Sequence, residues 1–218
     1  MKSGLTLLLV LFLANAFLSV VPADILVGVD QGDWIEYRVS FTGNPPIEHD
    51  AVWARMEIIS VDGKKVNASF VSRLANETVL EILEDLDLEK GRLIDMFIIP
   101  AYLDEGDVFY DQISGQIVID RVETRKYAGA DRTVVHAYAV DTQWYWDRAT
   151  GVTVDARTSN SIYTLETVAT GTDMWNSQIF GLDANIFYGL LILSAVGVGA
   201  SIVLSLQRRK RRRTNPQT

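Results

Sequence analysis

The sequence predicts a mainly β protein: an antiparallel, hairpin-built sheet, as a sandwich or a half-barrel, plus one C-terminal transmembrane helix. Three observations carry this reading. Short segments alternate apolar and polar residues with a period of two, as in Trp34 to Phe41, where Ile35, Tyr37, Val39 and Phe41 share one face. Turn chemistry separates them: Asp62-Gly63 is a hairpin signal, and Asp87-Leu88-Glu89-Lys90-Gly91 is echoed by Asp147-Arg148-Ala149-Thr150-Gly151. Finally, Ile186 to Leu206 holds 21 residues without a charge, and the basic run Arg208 to Arg213 follows at once. As a helix that stretch spans about 32 Å, against about 30 Å of membrane hydrocarbon. A basic flank stays in the cytoplasm, which places the preceding residues outside.

From the start of the chain, Lys2 and an apolar run from Leu5 to Val21 have the form of a secretory signal. Of two small-residue cleavage patterns, Ala14-Asn15-Ala16 and Val21-Pro22-Ala23, the second is favoured because Pro22 ends the helix there. Residues 1–23 are therefore expected as signal peptide; uncleaved, they would form a second membrane helix without changing the topology. The β-domain is expected over 24–172, a stalk over 173–185, the membrane helix over 186–206 and a cytoplasmic tail over 207–218. Trp175, Phe180, Phe187 and Tyr188 are placed at the membrane interface.

Within the domain, strands are read at Trp34–Phe41, Ala51–Val61 and Val66–Leu74. Asn76–Leu88 carries both helical and strand spacing, and is read as strand at least toward its end. Phe97–Leu103 reads as a brief helix or loop. Ile113–Arg125, Thr133–Trp146, Val152–Arg157 and Ser161–Thr170 complete the set, with Ala128-Gly129-Ala130-Asp131 turning between the first two. Gly32-Asp33-Trp34 and Gly106-Asp107-Val108 form a second echo, each a turn leading into a strand.

Charge divides by compartment. All 28 acidic residues fall in the expected external part, with 13 of the 20 basic ones, so that part stands near −15 while the whole chain is −8. Such a surface rejects nucleic acid and anionic lipid headgroups. The absence of cysteine excludes a thiol nucleophile, cysteine-bound zinc and a lipidated cysteine anchor.

The catalytic inventory is thin. The two histidines, His49 and His136, lie far apart, and His136 is expected on the strand face opposite the core. No nucleophile elbow, phosphate loop or dinucleotide fingerprint occurs, and no cofactor or metal is implied. Glu84 to Gly91 falls short of a calcium loop, since the twelfth position from Asp85 is Met96. Trp34, Trp53, Trp144 and Trp146 all fall on expected strands, as sheet core or as the lining of a ligand site. Asn67-Ala68-Ser69 and Asn76-Glu77-Thr78 match the N-glycosylation pattern. Ala195/Gly199, Gly197/Ser201 and Ser201/Ser205 are small-residue pairs that permit weak self-association of the membrane helix.

The layout, together with Phe97-Ile98-Ile99-Pro100-Ala101-Tyr102-Leu103, Gly106-Asp107 and Tyr145-Trp146-Asp147 to Thr150-Gly151, resembles uncharacterised archaeal exported, membrane-anchored β-domain proteins. At fold level the strand pattern also resembles the half-barrel lipoprotein carriers, which hold acyl chains against a concave sheet. These likenesses imply a cell-surface binding module for an apolar ligand (a lipid) or an envelope-protein partner. A carboxylate-dependent extracellular hydrolase and a purely structural envelope component are the alternatives.

Overall fold

The computed structural model of the chain describes residues 25–46, 50–179, 181–194 and 196. The expected signal peptide, His49, Phe180, most of the second half of the expected membrane helix and the basic tail lie outside the described residues.

Thirteen strands are present among the described residues: β1 (Trp34–Gly43), β2 (Ala51–Asp62), β3 (Lys65–Leu74), β4 (Val79–Asp87), β5 (Val108–Asp111), β6 (Gly115–Val118), β7 (Arg121–Tyr127), β8 (Ala130–Ala139), β9 (Thr142–Asp147), β10 (Thr153–Ser159), β11 (Tyr163–Thr172), β12 (Gln178–Ile179) and β13 (Leu182–Asp183). Nine form one antiparallel sheet in the order β4-β3-β2-β1-β11-β10-β9-β8-β7. The long-range pairing of β1 with β11 joins its two hairpin-built halves. Strand-forming sequence and hairpin turns thus build an antiparallel sheet, as expected, and Asn76–Leu88 resolves as strand.

The turn echoes are structural repeats. Asp87 Oδ1 accepts from Lys90 N at 3.0 Å, and Asp147 Oδ1 accepts from Thr150 N at 3.0 Å. Gly91 and Gly151 close these turns at φ 71° and 72°. A Cβ at Gly151 would collide with the Ile99 carbonyl, so close approach demands glycine as well as the left-handed backbone does. The other pair matches bond for bond: Asp33 Oδ2 accepts from Asp30 N, Asp107 Oδ2 from Asp104 N, and Gly32 and Gly106 stand at φ 95° and 90°.

Several expectations are corrected. Thr133–Trp146 is two strands, β8 and β9, because Val140 adopts φ 55° and reverses the chain. Ile113–Arg125 breaks at Ile119-Asp120, so that β6 pairs with β5 in a separate hairpin while β7 joins the main sheet. The β2–β3 turn is Gly63-Lys64, closed by Asp62 opposite Lys65; glycine at its first position is the type II′ pattern. Phe97–Leu103, expected as a brief helix or loop, is loop.

The irregular segment 88–107 and the β5–β6 hairpin cover one face of the sheet, here the inner face. Leu93, Ile98, Ile99, Phe109 and Ile119 pack there against Ile35, Met56, Ile58, Val135, Trp146 and Val154. Main-chain bonds tie the segment down: Thr153 N donates to Phe97 O, Ile99 N to Gly151 O, and Ala101 N to Leu26 O.

The β7 end of the sheet rolls toward the opposite, outer face. Tyr127 on β7 reaches over β8 and β9 to Asp155 on β10, with its hydroxyl 3.0 Å from Oδ2. Three strand spacings would be about 14 Å in a flat sheet, beyond the reach of a tyrosine. Trp175, expected at the membrane interface, is instead buried here. Its indole donates to Tyr127 O, and Arg132 stacks on its ring at 4.6 Å. The first part of the expected stalk is therefore docked on the domain, and Gln178 N donates to Gly129 O.

A helix begins at residue 184, and its described part runs over 184–194 and 196. Asp183 Oδ1 caps it, accepting from Asn185 N at 2.8 Å and Ile186 N at 3.4 Å. No helix among the described residues is long and apolar enough to cross a membrane.

Candidate functional site

The covering segment fills only part of the inner face. Beyond Phe97 the sheet is uncovered, and a groove of about 390 Å³ remains, open on one side. Its residues come from seven neighbouring strands, from Ile82 on β4 through Phe70, Ala54, Val39, Leu165 and Ala156 to Trp144 on β9. Strand parity explains the lining. Tyr37 opposes Ala54 and Ala169, so Val39 and Thr167 follow on that face two residues on and Leu165 four residues on, and Ala156 opposes Trp144. Small residues on the central strands (Ala54 and Ala156) leave the space that larger side chains would fill.

The groove is apolar with a few polar edges. Thr142 and Thr158 bond each other at 2.7 Å, which satisfies both hydroxyls within the wall. Asp95 stands in the lining beside Ile94 and Phe97. Residues 94 to 96 form an unusual roof: Ile94, Asp95 and Met96 all have left-handed backbone, at φ 43°, 51° and 53°. Each such non-glycine residue costs roughly 1–2 kcal/mol. The conformation is held from below, where Met96 O accepts from Trp146 Nε1 at 2.7 Å and from Thr153 Oγ1 at 2.9 Å. Phe97 then packs its ring against Tyr37 and Phe70.

The four tryptophans do not converge. Trp144 lines the groove, and its indole nitrogen is buried without an acceptor. Trp146 stacks on it at 5.8 Å but is fully buried, a core residue that anchors the roof. Trp34 and Trp53 lie on the outer face, since they alternate with Ile35 and Ala54; Arg55 covers the Trp34 ring at 4.4 Å. Asn67 and Asn76 are both exposed: Asn67 Nδ2 donates to Ser60 Oγ, and Asn76 Oδ1 accepts from Thr78 N in the β3–β4 turn.

The rolled outer face holds a cluster that sequence reading missed. His136 lies opposite the main core, as parity requires, and is only 3% exposed because the rolled sheet covers that face as well. Its Nδ1 is 2.5 Å from Asp120 Oδ1. Its ring packs on Tyr145, whose hydroxyl accepts from Arg121 at 2.7 Å and Arg125 at 2.9 Å. Glu123 pairs with both guanidiniums and offsets one of their two charges. The signal in the sequence was the run of alternating charges in β7, which reads equally well as a solvated strand.

Burial pushes the Asp155 carboxyl above the usual range, with Glu166 adding repulsion against the Tyr127 hydroxyl, Arg125 and Arg157. The folded protein therefore holds this proton to higher pH than the unfolded chain. The resulting stability is present at low pH and is lost as pH rises through the folded value. Asp155→Asn keeps an acceptor for Tyr127 and removes the ionisation. It is expected to gain stability relative to the native protein between about pH 4 and pH 7 in denaturant titrations. An unchanged gap between the two proteins at both values would show that Asp155 does not titrate in this way.

Compared with protein-family models the chain finds no match, and compared with curated proteins it finds none either.

Proposed function

We propose that this protein is a single-pass cell-surface binding module that holds an apolar chain, acyl or isoprenoid, in the groove on the inner face of its sheet. The groove carries the proposal. Its volume lies within the range of roughly 300–1,000 Å³ common to small-molecule sites, and its mostly apolar wall with few polar groups suits an aliphatic ligand. Its wall draws on seven neighbouring strands, which suits an extended chain laid across the sheet. The partly covered sheet also supports the likeness to half-barrel carriers over a closed sandwich. The membrane anchor rests on the sequence of 186–206 and its basic flank. It is also supported by the exposure of Ile186, Leu190, Leu191, Ile192 and Leu193 in a helix with no polar stripe.

The test is native mass spectrometry of the full chain purified from its host membrane, followed by organic extraction. A stoichiometric apolar adduct is expected, together with quenching of tryptophan fluorescence by brominated acyl chains. Ala54→Phe, which projects a ring into the groove, is expected to abolish both while leaving the β-sheet circular dichroism signal intact. A clean apo mass and no quenching by added lipid would sink the carrier reading and leave an envelope-partner role.

A further inference from the structure

The two edges of the nine-stranded sheet are chemically complementary. β4 exposes Val79, Leu80, Ile82 and Leu83, the last at 73%, and among the described residues its main chain is bonded to β3 alone from Val79 to Leu86, with only the terminal Asp87 also bridged to Arg92. Isolated domains rarely leave such an apolar edge uncovered, because its free N–H and C=O groups template another strand. β4 carries Glu81, Glu84, Asp85 and Asp87 and no basic residue, whereas β7 carries Arg121, Arg125 and Lys126 against Glu123 alone. Among the described residues, the one bond reaching the β7 main chain from outside β8 is that of Trp175 to Tyr127 O.

We propose that β4 of one copy pairs with β7 of a second copy, in parallel, to continue the sheet head to tail. The strand order dictates the direction, since eight successive antiparallel steps separate β4 from β7 and leave them pointing the same way. One register satisfies both charge and face. With Ile82 beside Val122 on the inner face, Glu81 stands beside Arg121 and Asp85 beside Arg125 on the outer face. Both arginines are part-exposed, at 44% and 38%, and a guanidinium has donors left beyond its bond to Tyr145. Pairing β4 with β4 about a two-fold axis would instead bring two acidic edges together. A head-to-tail contact either closes into a ring or propagates as a row of copies.

The chain has no cysteine, so paired substitutions report this contact without background. Full-length Ile82→Cys and Val122→Cys chains, separately tagged, are co-expressed in one host membrane and oxidised. Neighbouring strands lie about 4.8 Å apart, inside the roughly 4.4–6.8 Å window for a disulfide. A mixed dimer is expected, absent when either variant is expressed alone. Arg121→Glu on the Val122→Cys chain is expected to cut its yield roughly tenfold, as opposed charges become like charges. Glu81→Arg on the other chain is expected to restore it. No mixed dimer, or cross-linking of the Ile82→Cys chain to itself, would overturn the proposal; the second result would mean a two-fold β4 contact.

Discussion

Trp146→Ala is expected to destabilise the domain by about 3–5 kcal/mol, the range for truncating a fully buried tryptophan. The side chain has no exposed surface, meets Phe109 edge-on at 5.6 Å and stacks on Trp144. It also supplies one of the two bonds to Met96 O that hold three consecutive residues in left-handed backbone. The loss should therefore spread beyond the cavity. The roof at 94–96 is expected to relax, with faster amide hydrogen exchange in residues 94–97 than the global loss accounts for. Trp146→Phe keeps most of the volume but not the donor, and should retain part of the exchange effect at a smaller stability cost. If Trp146→Ala costs under about 1 kcal/mol, the site collapses freely and does not anchor the roof.

Asp147→Ala is expected to cost about 3–5 kcal/mol, and Asp87→Ala at the sister turn only about 1 kcal/mol. The motif is the same, but the surroundings differ. Asp147 is wholly buried and accepts from four donors: Arg132 Nε at 2.7 Å, a second Arg132 nitrogen at 3.1 Å, and Thr150 N and Oγ1, each at 3.0 Å. Removing it strands two turn donors and a guanidinium packed on Trp175. Asp87 holds Lys90 N, and its ion pair with the exposed Lys90 ammonium at 3.8 Å is worth little. Chemical denaturation of the two variants under one condition measures the difference. Both carboxylates are buried, so equal losses would show that the turn itself, and not the Arg132 pairing, sets the cost.

Local chemistry was legible where one residue type suffices. The Asp-to-Gly turns, the Gly-Asp turns and the Ala128-Gly129 reversal each need a side-chain acceptor or a left-handed backbone, and the residues that supply these stand in the sequence. The β8–β9 turn was illegible for the converse reason. Val140 at φ 55° is a β-branched residue where glycine or asparagine is expected, and the pairing of Ala139 with Thr142 and the bond from Ser159 N to Asp141 O hold the turn there. Ile113 to Arg125 reads as one run because no glycine or proline interrupts it after Gly115, although its apolar positions shift from Ile117 and Ile119 to Val122. The bonds of Ile119 N to Asp107 O and of Asp120 N to His136 O divide it between two sheets.

By itself, then, the sequence determined an antiparallel β protein with its strand faces and most of its turns, because these follow from a period of two and from local backbone preferences. It also marked the apolar, basic-flanked stretch near the C-terminus on which the membrane proposal rests. The tertiary structure alone decided which faces meet. Parity sends Trp34 and Trp53 outward and Trp144 and Trp146 inward, but nothing local says that segment 88–107 stops at Phe97 and leaves Trp144 beside a groove. Nor does anything local say that β7 rolls back to bury His136 and Tyr127. Both outcomes depend on contacts between residues far apart in the chain, such as Trp146 with Met96 and Tyr127 with Asp155, and pattern reading carries no information on such separations.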